Sequence, residues 1–180
     1  MDSLTIELPA REDQTAFNLR RWEELCSDPE LAKVEGRIET DRHGHIIMYP
    51  IAAFSHGSYQ SEIAYFLRIH LPHGRTVVEC PISTADGVKG ADVAWISHVR
   101  LAEIGEGVCL PAAPEICVEV LSPDNTRAEM REKKALYFAA GASEVWFCDR
   151  KGRMTFHGTA DSAGDPASGL CPDFPGQVEL

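Results

Sequence analysis

Ile116-Cys117-Val118-Glu119-Val120-Leu121-Ser122-Pro123 is a continuous apolar run broken by a single acid. Such continuity marks a strand covered on both faces, and the Ser-Pro step closes it. The next segment, 127–140, has helical periodicity and stops at Gly141, a residue that enters the left-handed region without a Cβ penalty. A second apolar strand follows at 144–148. Strand, helix and strand of these lengths form a parallel crossover, for which the right-handed form is expected.

Outward from that unit, Ala91-Asp92-Val93-Ala94-Trp95-Ile96 reads as a strand, preceded by another over 76–82 and a Gly-containing turn. A helix is expected over 13–26, with Phe17, Leu19, Trp22 and Leu25 as its apolar members. Strands over 33–40 and 45–50 flank the turn Asp41-Arg42-His43-Gly44. An amphipathic helix is expected over 58–71, and 98–114 reads as loop with one helical turn. The last hairpin pairs 144–148 with 153–157. This order predicts an α/β fold with a central mixed β-sheet flanked by helices. The expected organisation is a single domain over 1–180, with an N-terminal arm at 1–12 and an irregular tail at 159–180.

The chain of 180 residues is long enough to bury a sizeable core. No apolar run approaches the ~20 residues of a membrane helix. The first residues lack the basic start and apolar stretch of a signal peptide, so a cytoplasmic location is expected. The six cysteines are scattered without a CxxC pair, which argues against zinc ribbons and for free thiols. A net charge of −11 opposes non-specific nucleic-acid binding, yet leaves a local metal-centred site open.

An acid inside an apolar strand needs a partner. Alternation places Glu119 on one face with Cys117 and Leu121. Lys133 lies three residues after Met130 and four before Tyr137, which puts it on the sheet-facing stripe of the helix, with Lys134 about 100° round. Two carboxylates, Asp92 and Glu119, converging with Lys133 make the minimum kit for Mg²⁺-dependent phosphodiester cleavage. The plainer readings stand beside it: Asp92 as a turn cap after Gly90, and Glu119–Lys133 as a structural ion pair. His56 reads as a polar residue at a helix start, with contact to a phosphate as the alternative. Arg127, Arg131, Lys134, Arg150, Lys151 and Arg153 form the one basic concentration, either a track for a nucleic-acid backbone or a solvated surface. No G-x-S-x-G elbow is present, which argues against a serine hydrolase.

Val118-Glu119-Val120-Leu121-Ser122-Pro123, Lys133 with Tyr137, and Gly141-Ala142-Ser143-Glu144-Val145-Trp146 resemble the Uma-type restriction endonuclease family, a domain-of-unknown-function family in the PD-(D/E)XK nuclease superfamily. Ala91-Asp92-Val93-Ala94-Trp95-Ile96-Ser97 resembles its first acidic strand, and Arg37-Ile38-Glu39-Thr40 with Ile46-Ile47-Met48-Tyr49-Pro50 its N-terminal hairpin. The resemblance covers 22–158 and implies a restriction-endonuclease-like core there. It implies Asp92 and Glu119 as metal-binding acids, Glu39 as an additional acid, and Lys133 as the superfamily lysine moved to the helix from the position of Leu121. Ala91 stands where the family pattern has proline, and His45 where the hairpin often has an acid. By resemblance, the protein is also expected to be a homodimer.

Mg²⁺ or Mn²⁺ held by Asp92, Glu119 and the Val120 carbonyl would polarise a DNA phosphate, with Lys133 orienting water or neutralising charge. Lys133→Ala is then expected to abolish cleavage and leave the fold intact. The alternative is a non-catalytic binding or regulatory module on the same fold.

Overall fold

The run that opens the crossover forms β5, Ile116–Val120, at the centre of a five-stranded sheet. The computed structural model describes residues 13–180; the expected arm at 1–12 lies outside them. In chain order the elements are α1 (Gln14–Cys26), a 3₁₀ turn (Leu31–Lys33), β1 (Arg37–Thr40), β2 (Ile46–Tyr49), α2 (Phe54–His70), β3 (Gly74–Thr84) and β4 (Gly87–Ser97). They continue with α3 (His98–Ile104), β5, α4 (Arg127–Ala139), β6 (Glu144–Cys148) and β7 (Met154–His157).

The large sheet has the order β3-β4-β5-β6-β7, and β1 and β2 form a separate hairpin. Only the β5–β6 contact is parallel, as the crossover through α4 requires. The chain is thus a mixed α/β protein with its central sheet flanked by helices. All five residues of β5 are buried. Val118 and Val120 pack with Ile63 and Leu67 of α2 on one face, while Cys117 packs with Tyr137 of α4 on the other.

Local chemistry explains the boundaries. Thr126 and Glu129 form a capping box at the start of α4, which satisfies two otherwise orphaned N–H groups. At its end, Gly141 has φ 104. Strands β3 and β4 extend well beyond 76–82 and 91–96, because Lys89, Gly90 and other non-apolar positions are still paired in the hairpin. Helix α2 begins four residues before the expected start. Phe54, Ser55, His56 and Gly57 offer no side-chain cap and no apolar stripe, so nothing in the sequence marks that first turn. The expected single turn after 98 is a seven-residue helix, capped where Ser97 Oγ accepts the Arg100 N–H.

The tail is irregular, as expected, yet it is packed. Cys171, Phe174 and Val178 are buried in the α2-side core. The Glu144 carboxylate pins the tail by accepting from Ser168 Oγ at 2.6 Å and from the N–H groups of Gly169 and Leu170.

Candidate active site

Strands β4 and β5 are paired only from Val93↔Val118 to Trp95↔Ile116. One step further in the same register, Asp92 stands opposite Glu119, and there the ladder stops. Both acids therefore sit where two strands part, on the face that alternates away from Val93 and Val118. The Val120 N–H, left without a strand partner, donates to Asp92 Oδ2 at 2.7 Å. Val120 thus meets Asp92 through its N–H.

The unpaired edge of β4 before this point is satisfied by side chains from β1 and α4. Thr40 Oγ1 accepts the Val88 N–H, Glu39 Oε1 accepts the Gly90 N–H, and Lys133 Nζ donates to the Gly90 carbonyl. Gly87, at φ 84, lets β1 come this close: a Cβ there would collide with the carbonyl oxygens of Thr40 and Asp41.

Lys133 is the hub. Its Nζ lies 3.1 Å from Glu119 Oε2 and 3.0 Å from Glu39 Oε1. Tyr137, one helical turn on, donates its hydroxyl to Glu119 Oε1 at 2.6 Å. Tyr49 donates to Glu39 Oε2. Glu39, Asp92, Glu119 and Lys133 are all buried, so the fold brings the four expected residues together, with Glu39 behind Lys133. Asp92 lies mid-strand, which removes the turn-cap reading.

Three further residues complete the group. Arg37 of β1 donates to Asp92 Oδ1 at 2.7 Å and stands 3.6 Å from Glu79 Oε2, its guanidinium over the Tyr49 ring. His56 Nε2, in the first turn of α2, lies 3.4 Å from Asp92 Oδ1. Glu79 stands directly across the β3–β4 hairpin from Asp92, at φ 53, a left-handed backbone rare for a glutamate. Gln60 Nε2 holds it by donating to Glu79 Oε1 at 2.5 Å. The sequence reading passed over Glu79 and gave Arg37 no role; counting back from the turn at 85–86 would have paired Glu79 with Asp92.

The electrostatics follow from burial and these pairs. Burial works to raise the Asp92 carboxyl, but His56, Arg37 and the Val120 N–H outweigh it and hold it below the usual carboxylate range. Burial, reinforced by the charge on Asp92, raises Glu119, against the pull of Lys133 and Tyr137. Burial works to lower Lys133, but Glu119 and Glu39 raise it, so it remains an ammonium. The hydrogen bond to Asp92 raises His56.

One ligand atom each from His56, Glu79 and Asp92 lies within 4.8 Å of the other two. Carboxylate and imidazole donors suit a divalent cation, which would displace the Arg37 guanidinium from Asp92 and Glu79. The donor set therefore fits a metal ion. Arg37, His56, Glu79, Asp92, Glu119 and Lys133 line a cleft of about 1020 Å³ walled by β1, α2 and the loop from β5 to α4. Two sequence readings change: His56 is a neighbour of the acids rather than a bare helix-start residue, and Lys134 is buried, its Nζ donating to the Ser162 carbonyl.

The described residues contain no helix long and apolar enough to cross a membrane. No curated protein matches the chain. Among solved structures, a "putative nuclease belonging to DUF820" from Anabaena variabilis shares the fold, with TM-score 0.64 and 20% identity over 82% of this chain and 86% of that one. Residues 22–165 match the sequence profile of the Uma2 family, whose description is "Putative restriction endonuclease". That match spans most of the chain, and the chain belongs to the Uma2 family.

Proposed function

We propose that the protein is a metal-dependent endonuclease that hydrolyses DNA phosphodiester bonds in the cleft over Asp92, Glu119 and Lys133. The observation that supports it most is the placement of Asp92 and Glu119 across the point where β4 and β5 separate, with Lys133 buried against Glu119. In this reading Asp92, Glu119 and the Val120 carbonyl hold Mg²⁺ or Mn²⁺, and His56 and Glu79 are further donors to it. The ion supplies Lewis acidity and a more acidic water when bound. The chain's own residues do the rest. The Val120 N–H fixes the rotation of Asp92, and Tyr137 fixes that of Glu119. Lys133, held as an ammonium, neutralises charge that builds on the phosphate or orients the attacking water. Glu39 acts through Lys133 and is a positioning residue.

A second reading, a non-catalytic module, is favoured by one observation: each central acid already has an internal cation, Arg37 for Asp92 and Lys133 for Glu119. Calorimetric titration with Mn²⁺ and nicking of supercoiled plasmid separate the two. The endonuclease takes up Mn²⁺ and nicks, and Asp92→Asn does neither. A wild-type chain that takes up no Mn²⁺ at millimolar concentration is the module. The proposal extends to a homodimer, checked by sedimentation, and to a cytoplasmic location, which free thiols at all six cysteines suit.

A further inference from the structure

A second cleft, of about 450 Å³, adjoins the acidic one. The two share Leu121, Ser122, Pro123, Asn125 and Arg150, so the loop from β5 to α4 is the sill between them. Arginines wall the second cleft. Arg127 and Arg131 lie one turn apart on α4, and Arg150 faces them from the turn after β6. This α4 stripe is separate from the one that carries Lys133 and Tyr137 to the acids.

All three arginines are exposed, and among the described residues none makes an ion pair. That is unexpected in a chain with 28 acidic and 17 basic residues. Several other arginines are matched to carboxylates, Arg21 to Glu24, Arg42 to Asp86 and Arg75 to Glu106, whereas here three unpaired ones share a single concavity. The acid among the lining residues, Asp149, pairs with none of the three; its Oδ1 accepts the backbone N–H groups of Lys151 and Arg153. Three guanidinium groups with no paired carboxylate around one concavity suit an external anion, and their planar forks match phosphate oxygens.

We propose that this cleft holds the phosphate backbone of the DNA strand next to the bond placed over Asp92 and Glu119, with Arg127, Arg131 and Arg150 each neutralising a phosphate. The proposal rests on the endonuclease reading and extends it from the reacting bond to the path of the strand. It also reconciles a net charge of −11 with a polyanionic substrate, because the basic field is concentrated beside the acidic cleft and not spread over the surface.

The test is fluorescence anisotropy of a labelled duplex oligonucleotide, without divalent metal so that nothing is cut, over a series of salt concentrations. The triple variant Arg127→Ala, Arg131→Ala, Arg150→Ala is compared with the full wild-type chain, and far-UV circular dichroism with thermal melting checks that the variant keeps its fold. Expected are at least a tenfold loss of affinity at low salt and a slope of log K against log salt shallower by roughly 2 to 3, one phosphate contact per arginine. Equal affinity, or weaker binding at an unchanged slope, overturns the arginine cleft and leaves the endonuclease reading standing. A wild-type chain that binds no duplex either without metal or with Ca²⁺ in its place overturns both, because DNA is then not its substrate.

Discussion

Asp92 Oδ2 accepts the Val120 N–H at 2.7 Å, a side chain taking the place of the backbone ladder where β4 and β5 part. The bond does two things at once. It satisfies a buried strand N–H, and it fixes which way a carboxylate faces in the cleft. The other oxygen is left to Arg37 and His56.

Replacing this carboxylate tests both roles. Asp92→Asn keeps the volume but removes the charge that Arg37 and His56 face. It is expected to cost about 1.5–3 kcal/mol, the range for a hydrogen bond to a charged group. Urea unfolding measures it, and a variant as stable as wild type would show the charge pairing with Arg37 and His56 to be incidental, since the asparagine oxygen can still accept the Val120 N–H.

Lys133 sits between two buried carboxylates, so its replacement is expected to cost stability as well as cleavage. Removing the ammonium leaves Glu119 without its cation and Glu39 with only Arg37 at 3.8 Å, and Lys133→Met is expected to lose about 3–5 kcal/mol. Adding Glu119→Gln removes one of those charges. The double variant should be less destabilised than the sum of the singles by about 0.5–3 kcal/mol. Strict additivity in denaturant melts would show that the pair carries no coupling.

Glu79 adopts a left-handed backbone that asparagine tolerates better than glutamate. Glu79→Asn is expected to raise the melting temperature or leave it unchanged while weakening Mn²⁺ binding at least tenfold. A clear fall in stability would mean that the Gln60 and Arg37 contacts outweigh the backbone strain.

His157 gives the pH dependence. Burial lowers it first, and the Lys134 charge lowers it further. Its Nε2 is buried without a partner, so protonation would place an N–H where nothing accepts it. The unfolded chain titrates near the ordinary value of about 6.5, while the folded chain refuses the proton until lower pH. Stability is therefore full above about pH 6.5 and declines as pH falls toward the depressed folded value. Thermal melts of wild type and His157→Asn should differ most near neutrality and converge on acidification. A wild-type profile parallel to that of the variant would rule His157 out as the source.

Much of the architecture was legible in the sequence because it is encoded locally. The apolar continuity of 116–121, the helical period of 127–140 and Gly141 fix a strand, a helix and its end within one short stretch. Alternation along β5 and the 3.6-residue period of α4 then put Glu119 and Lys133 on facing sides, where they meet at 3.1 Å. The first turn of α2 was missed for the opposite reason: Phe54 is exposed and Ala53 supplies no cap, so tertiary position and not local chemistry starts that helix.

The same distinction divides the site. The sequence by itself determined the crossover, the face on which Glu119 lies and the side of α4 that carries Lys133, because periods of two and 3.6 residues are properties of single elements. Only the tertiary structure decided that Arg37, His56 and Glu79, from three separate elements, surround Asp92, and that the tail buries Lys134 against Ser162. Those contacts depend on where β4 and β5 part and on how β1, α2 and the tail close over the sheet. Packing between distant segments sets them, and no periodicity within a segment records it.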